Sequence, residues 1–411
     1  MTDEDTARAK PRTFRLSYWQ PPRAHGEVIE DRTVSFLELF YDLVYVVVIA
    51  QAALHLAEQI TWRGVAEFAV VFGMIWIAWM NGTVYYDFHG REDGRTRTFV
   101  FIQMALLALL AVFTGDAVGD DGPAFAVVYA IYLAVFTWLW YTVHRRDDER
   151  YLGMTRRWLF GMTVSTVVIA ATALMDDETR LIIWALFVIG WVVFSVVMDN
   201  RQGGMAAVDL NITKSMIERF GLFTIIVLGE VVVGVVTGIS DAERTAIVIG
   251  TGMIGLIIGF AYWWTYFDFV GGRTVRSGQG QTARWMMGHL PAAMAIAASG
   301  AAMVSLVEHA NDDRTPAATA WLLSGSVALG LLALAVIIPA LTDAERLPQV
   351  YRPLRAALGL AAITVIGIGA LRPTPWVFAL LLFTVLSAVW FYAITLWIKR
   401  TDSDERVPGL D

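Results

Sequence analysis

Long apolar runs separated by short polar stretches set the pattern of this 411-residue chain. Twelve stand out, near 34–54, 65–88, 98–115, 123–143, 158–175, 181–198, 217–239, 245–270, 285–307, 317–341, 356–371 and 374–398. Most reach the roughly 18 to 25 residues that a helix needs to cross a hydrocarbon layer about 30 Å thick. They lack the period-two alternation of barrel strands. They also lack the single apolar stripe of a helix with a water-facing side. The pattern predicts an all-α multi-pass membrane protein of about 12 transmembrane helices.

Charge adds a topology. Only 17% of the residues are charged, against roughly 25% in an ordinary soluble domain. With a cytoplasmic N-terminus, 26 of the 31 Lys and Arg residues fall in inner segments. Only Arg63, Arg180, Arg244, Arg314 and Arg372 fall outside, where the loops are acidic, as at Asp176-Asp177-Glu178. This positive-inside bias predicts both termini in the cytoplasm. The first 30 residues show no cleavable signal pattern, so insertion is expected to begin at Val34.

The second half echoes the first. Glu38-Leu39-Phe40 opens the first helix and Glu218-Arg219-Phe220 the seventh, 180 positions later. Tyr86-Asp87-Phe88 closes the second and Phe267-Asp268-Phe269 the eighth, 181 positions later. An even number of spans inserts both copies the same way up, so two parallel six-helix repeats are expected. The expected organisation is a cytoplasmic polar segment at 1–33, repeats at 34–200 and 201–398, and a cytoplasmic tail at 399–411.

Intramembrane acids supply the candidate chemistry, because a carboxylate at membrane depth costs about 2.5–3.5 kcal/mol even on lenient scales. Glu38 and Asp42 lie four apart on one helical face, where they could bind a cation or share a proton, or pair with Arg32 near the interface. Glu230 is the deepest acid, three turns beyond Arg219, with Gln51 at the matching place in the first half. His289 precedes Pro291 in a helix rich in small residues, and is either a ligand or a packing histidine. Together Glu38, Asp42, Gln51, Glu230 and His289 are the candidates for binding an ion, proton or substrate. Asp87 and Asp268 oppose the dipole at their helix C-termini, so Arg97 and Arg284 are expected to clamp them. Glu218 and Arg219 complete the ion-pair candidates.

Other chemistries find no support. The chain has no cysteine, which excludes disulfides and thiolate sites. Its lysines, Lys10, Lys214 and Lys399, all lie away from mid-span, which excludes a retinal Schiff base. No nucleotide loop, haem pair or metal cluster is legible, so no cofactor, no metal, no catalytic residue and no nucleic-acid partner is expected. The expected partners are the bilayer and a small ion or solute, with room for a homodimer.

The stretch from Leu37-Glu38-Leu39-Phe40-Tyr41-Asp42 through Gln51, with Glu218-Arg219-Phe220-Gly221 through Glu230, resembles the bacterial low temperature requirement protein A family. The likeness runs from about Arg32 to the last helix. It implies this membrane fold in a bacterial plasma membrane, and a role in cold growth more than a defined activity. Phe40-Tyr41-Asp42 is faintly similar to the Phe-Ser-Asp signature of a potassium-channel family built from six-helix repeats. Tyr41 replaces the Ser, and the second half has Phe220-Gly221-Leu222 instead. A transporter or channel is the expected function. The alternatives are a membrane-embedded enzyme or a structural or sensory protein.

Overall fold

A computed structural model describes residues 18–27, 32–200 and 212–405. Most of the expected 1–33 segment, the boundary at 200/201 and the end of the tail lie outside the described residues. Among the described residues thirteen α-helices follow one another: α1 (Phe36–Glu58), α2 (Trp62–His89), α3 (Gly94–Thr114), α4 (Gly122–His144), α5 (Glu149–Thr172), α6 (Asp177–Asn200), α7 (Lys214–Asp241), α8 (Ala246–Phe269), α9 (Gln281–Glu308), α10 (Ala317–Ile337), the short α11 (Thr342–Arg346), α12 (Pro348–Leu371) and α13 (Pro375–Glu405). No strand occurs among the described residues, only an isolated bridge between Val275 and Leu341.

Among the described residues eleven helices are long and apolar enough to cross a membrane, all but α5 and α11. α5 has the length, but its opening turns carry Arg150, Arg156 and Arg157. Large apolar side chains point outward: Phe101, Val112, Phe160, Leu360 and Ile363 are 67–73% exposed. Water does not tolerate so much apolar surface, whereas lipid does. This is a multi-pass helical membrane protein.

The chain divides into two compact units. Of the described residues, the first holds 18–27, 32–51, 74–191 and 212–216, and the second holds 52–73, 192–200 and 217–405. In the first, α4 packs against α3 and α5. In the second, α9 packs on α10, α10 on α12, α12 on α13, and α13 on α8.

Helix ends show how sequence becomes geometry. Ser35 and Glu38 form a capping box at the start of α1: Glu38 N–H donates to Ser35 Oγ at 3.3 Å, and Ser35 N–H donates to Glu38 Oε2 at 3.0 Å. Ser35→Ala should lower stability by about 1 kcal/mol, read as a lower unfolding temperature in detergent. An unchanged midpoint would remove the cap from the account of α1.

At the start of α9, Asp199 of α6 accepts from Ala283 N–H at 2.8 Å, an acid placed where the helix dipole favours one. Ahead of α6, Asp176 accepts from Thr179 N–H at 3.0 Å and from its hydroxyl at 2.8 Å. Those bonds hold the Asp176 carboxyl below its usual range. In the second unit, α7 and α9 cross backbone to backbone at Gly234 and Gly300: a Cβ on Gly234 would lie 2.1 Å from the Gly300 carbonyl oxygen. Small residues permit this approach where lipid supplies no hydrophobic drive between helices.

Candidate functional site

In the first unit, Arg32 gathers acids from two helices. Its Nη2 donates to Glu38 Oε1 at 2.5 Å and its Nη1 to Asp87 Oδ1 at 2.9 Å. Ser215 Oγ accepts from Nη1 at 2.6 Å, and Thr213 Oγ1 donates to Asp87 Oδ2 at 2.7 Å. The two carboxylate side chains are 5% and 0% exposed, Arg32 18%. The expected Asp87–Arg97 clamp is corrected here, because Arg97 is exposed while Arg32 takes the acid.

The Asp87 backbone is held as well. Arg23 Nη2 donates to the Asp87 carbonyl at 2.5 Å and Arg23 Nε to the Gly90 carbonyl at 2.8 Å, capping the end of α2. Burial, and next the neighbouring Arg32, lower the Arg23 guanidinium from its usual value, with Asp87 opposing them. Beside it, His25 pairs with Asp147 at 2.8 Å, and the His25 ring meets the His89 ring edge-on at 4.4 Å. Residues 18–27 thus hold a docked strap, which the apolar pattern gave no reason to expect.

Asp42 is fully buried one turn beyond Glu38 and accepts from Trp79 Nε1 at 2.9 Å. Next to it the hydroxyls of Tyr41, Tyr45 and Tyr132 close a triangle. Tyr45–Tyr132 is 2.6 Å, Tyr41–Tyr45 is 3.2 Å, and Tyr41 also bonds Tyr132. All three rings are buried. Gly82 makes room for Tyr41, whose hydroxyl would lie 2.6 Å from a Cβ there. Gln51 is half-buried farther along α1, its Oε1 3.6 Å from where a Gly115 Cβ would stand.

In the second unit, Glu230 lies about 24 Å along α7 from its start and is 3% exposed. Among the described residues its carboxyl has no hydrogen-bond or ion-pair partner. The Glu230 carbonyl packs on Gly300, 2.5 Å from the site of a Cβ. His289 is buried with both nitrogens bonded, Nδ1 to the Trp285 carbonyl at 2.7 Å and Nε2 to the Tyr266 hydroxyl at 3.0 Å. Phe220 and Trp285 lie against its ring. That is the packing-histidine arrangement, inside an α9 that stays helical through Pro291.

Asp268 accepts from Trp390 Nε1 at 2.6 Å, and its backbone carbonyl accepts from Arg273 Nη2 at 2.5 Å. Arg273 also reaches Asp343 at 3.1 Å. Arg284 is exposed, so the second expected clamp is likewise corrected: Trp390 takes the Asp268 carboxylate, and Arg273 holds only its backbone carbonyl. Arg219 is fully buried and Glu218 exposed, so Glu218 and Glu38 occupy unlike surroundings despite their matching triplets.

The structure therefore joins Glu38 to Asp87 through Arg32, and leaves Asp42 with Trp79. Sequence reasoning missed Ser35, although a Ser three residues before Glu at the head of an apolar run is a legible cap. It also missed Glu67, buried and bonded by Arg63 Nε at 2.7 Å, which an i,i+4 count would have found. The tyrosine triangle carried no comparable local signal. Among the described residues no group of three or more His, Asp or Glu side chains could hold a metal ion.

A model of the family described as bacterial low temperature requirement A protein matches residues 33–396. An uncharacterized protein of Rhizobium meliloti (strain 1021) is 25% identical over 252 residues, 59% of this chain and 60% of that relative. The match thus spans less than two thirds of that protein's length. No solved structure matches the chain.

Proposed function

Because the chain belongs to the bacterial low temperature requirement A family, we propose that it is a membrane transporter or channel passing a proton, an ion or a small polar solute, with Asp42 and Glu230 as its binding carboxylates. The observation that carries this is Glu230, 3% exposed and without a partner among the described residues. A carboxylate sunk in apolar helices persists where it binds something polar that comes and goes. Glu38 and Asp87, tied to Arg32, are read as structural.

We place the protein in a bacterial plasma membrane with twelve spans and both termini cytoplasmic. Supporting α5 as the twelfth are its exposed Phe160, Val164, Val167 and Val168, an apolar face suited to lipid. Two parallel six-helix repeats, 34–200 and 201–398, remain our reading of the organisation. Its support is the shared treatment of Asp87 and Asp268, each a helix-end Asp whose carbonyl an arginine caps.

The test is flux in proteoliposomes, with a pH-sensitive dye reporting protons under imposed Na⁺ or K⁺ gradients. Asp42→Asn keeps an acceptor for Trp79, and Glu230→Gln leaves no broken pair, so both should reconstitute normally. Each is expected to lower flux about tenfold or more, the loss of a charged site. Undiminished flux in both variants would sink the assignment.

A further inference from the structure

Trp76, Trp79, Thr83 and Tyr86, spaced three, four and three residues apart, share one face of the enclosed helix α2. All four are buried. Trp79 gives its N–H to Asp42, and Tyr86 gives its hydroxyl to Gln103 Oε1 at 2.8 Å. A row of donors remains: Trp76 Nε1, Thr83 Oγ1 and Gln103 Nε2 are buried and reach no acceptor among the described residues. Buried polar groups are nearly always hydrogen-bonded, to protein or to ordered water.

The chemistry of these groups selects their partner. Indole and amide N–H groups cannot form the oxygen cage that a hard metal cation takes. An anion would sit beside the Asp42 carboxylate. Water accepts from each donor and passes protons on. At its Tyr86 end the stripe meets a cavity of about 630 Å³, whose mixed apolar and polar wall also includes Arg32, Glu38, Thr96 and Arg97.

We propose that this face of α2 is a water-lined half-channel that carries protons from the cavity, on the side we assign to the cytoplasm, to the Asp42 carboxyl. The path covers about 10 Å along the helix from Tyr86 to Trp79. Its purpose rests on the transport reading, whereas its hydration stands or falls alone.

The cysteine-free chain makes Thr83→Cys and Gln103→Cys single-thiol reporters. A small charged methanethiosulfonate, added to the cytoplasmic side of inverted vesicles, should modify them about tenfold or more faster than Phe101→Cys, on the exposed apolar face of α3, because only a hydrated thiol ionises to the reactive thiolate. A second measurement needs no substitution. Radiolytic hydroxyl labelling of the unaltered protein should oxidise Trp76 and Tyr86 several-fold faster than Trp184, equally buried but bonded to Thr172. If the two readouts disagree, the unaltered protein decides. Labelling of Trp76 and Tyr86 no faster than Trp184 would overturn the half-channel. A hydrated stripe in vesicles that show no flux would uphold the hydration and overturn the transport reading, and proton delivery with it.

Discussion

Replacing Arg32 by methionine is expected to destabilise the folded protein by about 3–5 kcal/mol, the range for removing one partner of a buried ion pair. The reason is geometric. One guanidinium serves two carboxylates, Glu38 at 2.5 Å and Asp87 at 2.9 Å, and both are almost wholly out of solvent. Without it, two negative groups stay buried against one another and against the C-terminal dipole of α2, which an acid already opposes. Lysine should restore little, because its single ammonium cannot reproduce the fork that addresses both acids. The measurement is an unfolding midpoint in detergent by tryptophan fluorescence. Adding Glu38→Gln and Asp87→Asn to the methionine variant should recover most of the loss, since the uncompensated charges disappear. An unaltered midpoint in Arg32→Met would show that the network contributes nothing.

Gly234→Ala is the second large effect. A single added methyl carbon would stand 2.1 Å from the Gly300 carbonyl oxygen and 2.9 Å from its carbon, both backbone atoms that no rotamer change can move. α7 and α9 must then separate, and the cost should meet or exceed the roughly 1–3 kcal/mol of ordinary overpacking. The control lies in the same helix: a Cβ on Gly229 meets nothing within 4 Å, so Gly229→Ala should be neutral or slightly stabilising. Size-exclusion profiles after graded heating would separate the two. If both variants behave like the unaltered protein, the close crossing is not what holds α7 to α9. Separation there would also disturb Glu230, whose carbonyl packs on Gly300, so loss of flux in Gly234→Ala is expected alongside loss of stability.

The contrast between Asp87 and Asp42 shows where sequence reading ends. That Asp87 needed a cation was legible, because an acid at a helix C-terminus opposes the dipole. Which cation was not, since nearness across a short loop suggested Arg97. The chain instead brings Arg32 from 55 positions away and Thr213 from 126. At Asp268 the carboxylate takes the indole N–H of Trp390, 122 positions later, and Arg273 holds the backbone carbonyl rather than the acid. At His289 the choice between ligand and packing residue turned on Tyr266, 23 positions earlier, whose hydroxyl takes the second nitrogen.

The amino-acid order alone determined that this chain makes long apolar helices with polar ends, because bilayer thickness and backbone hydrogen bonding leave a segment of that length and composition no other form. It also determined that a few acids, Asp42 and Glu230 among them, would lie deep within those helices. Tertiary structure decided which acids are neutralised and which are not. A charge is satisfied by whatever side chain the packing brings within about 3 Å, and that distance is set between helices rather than along them.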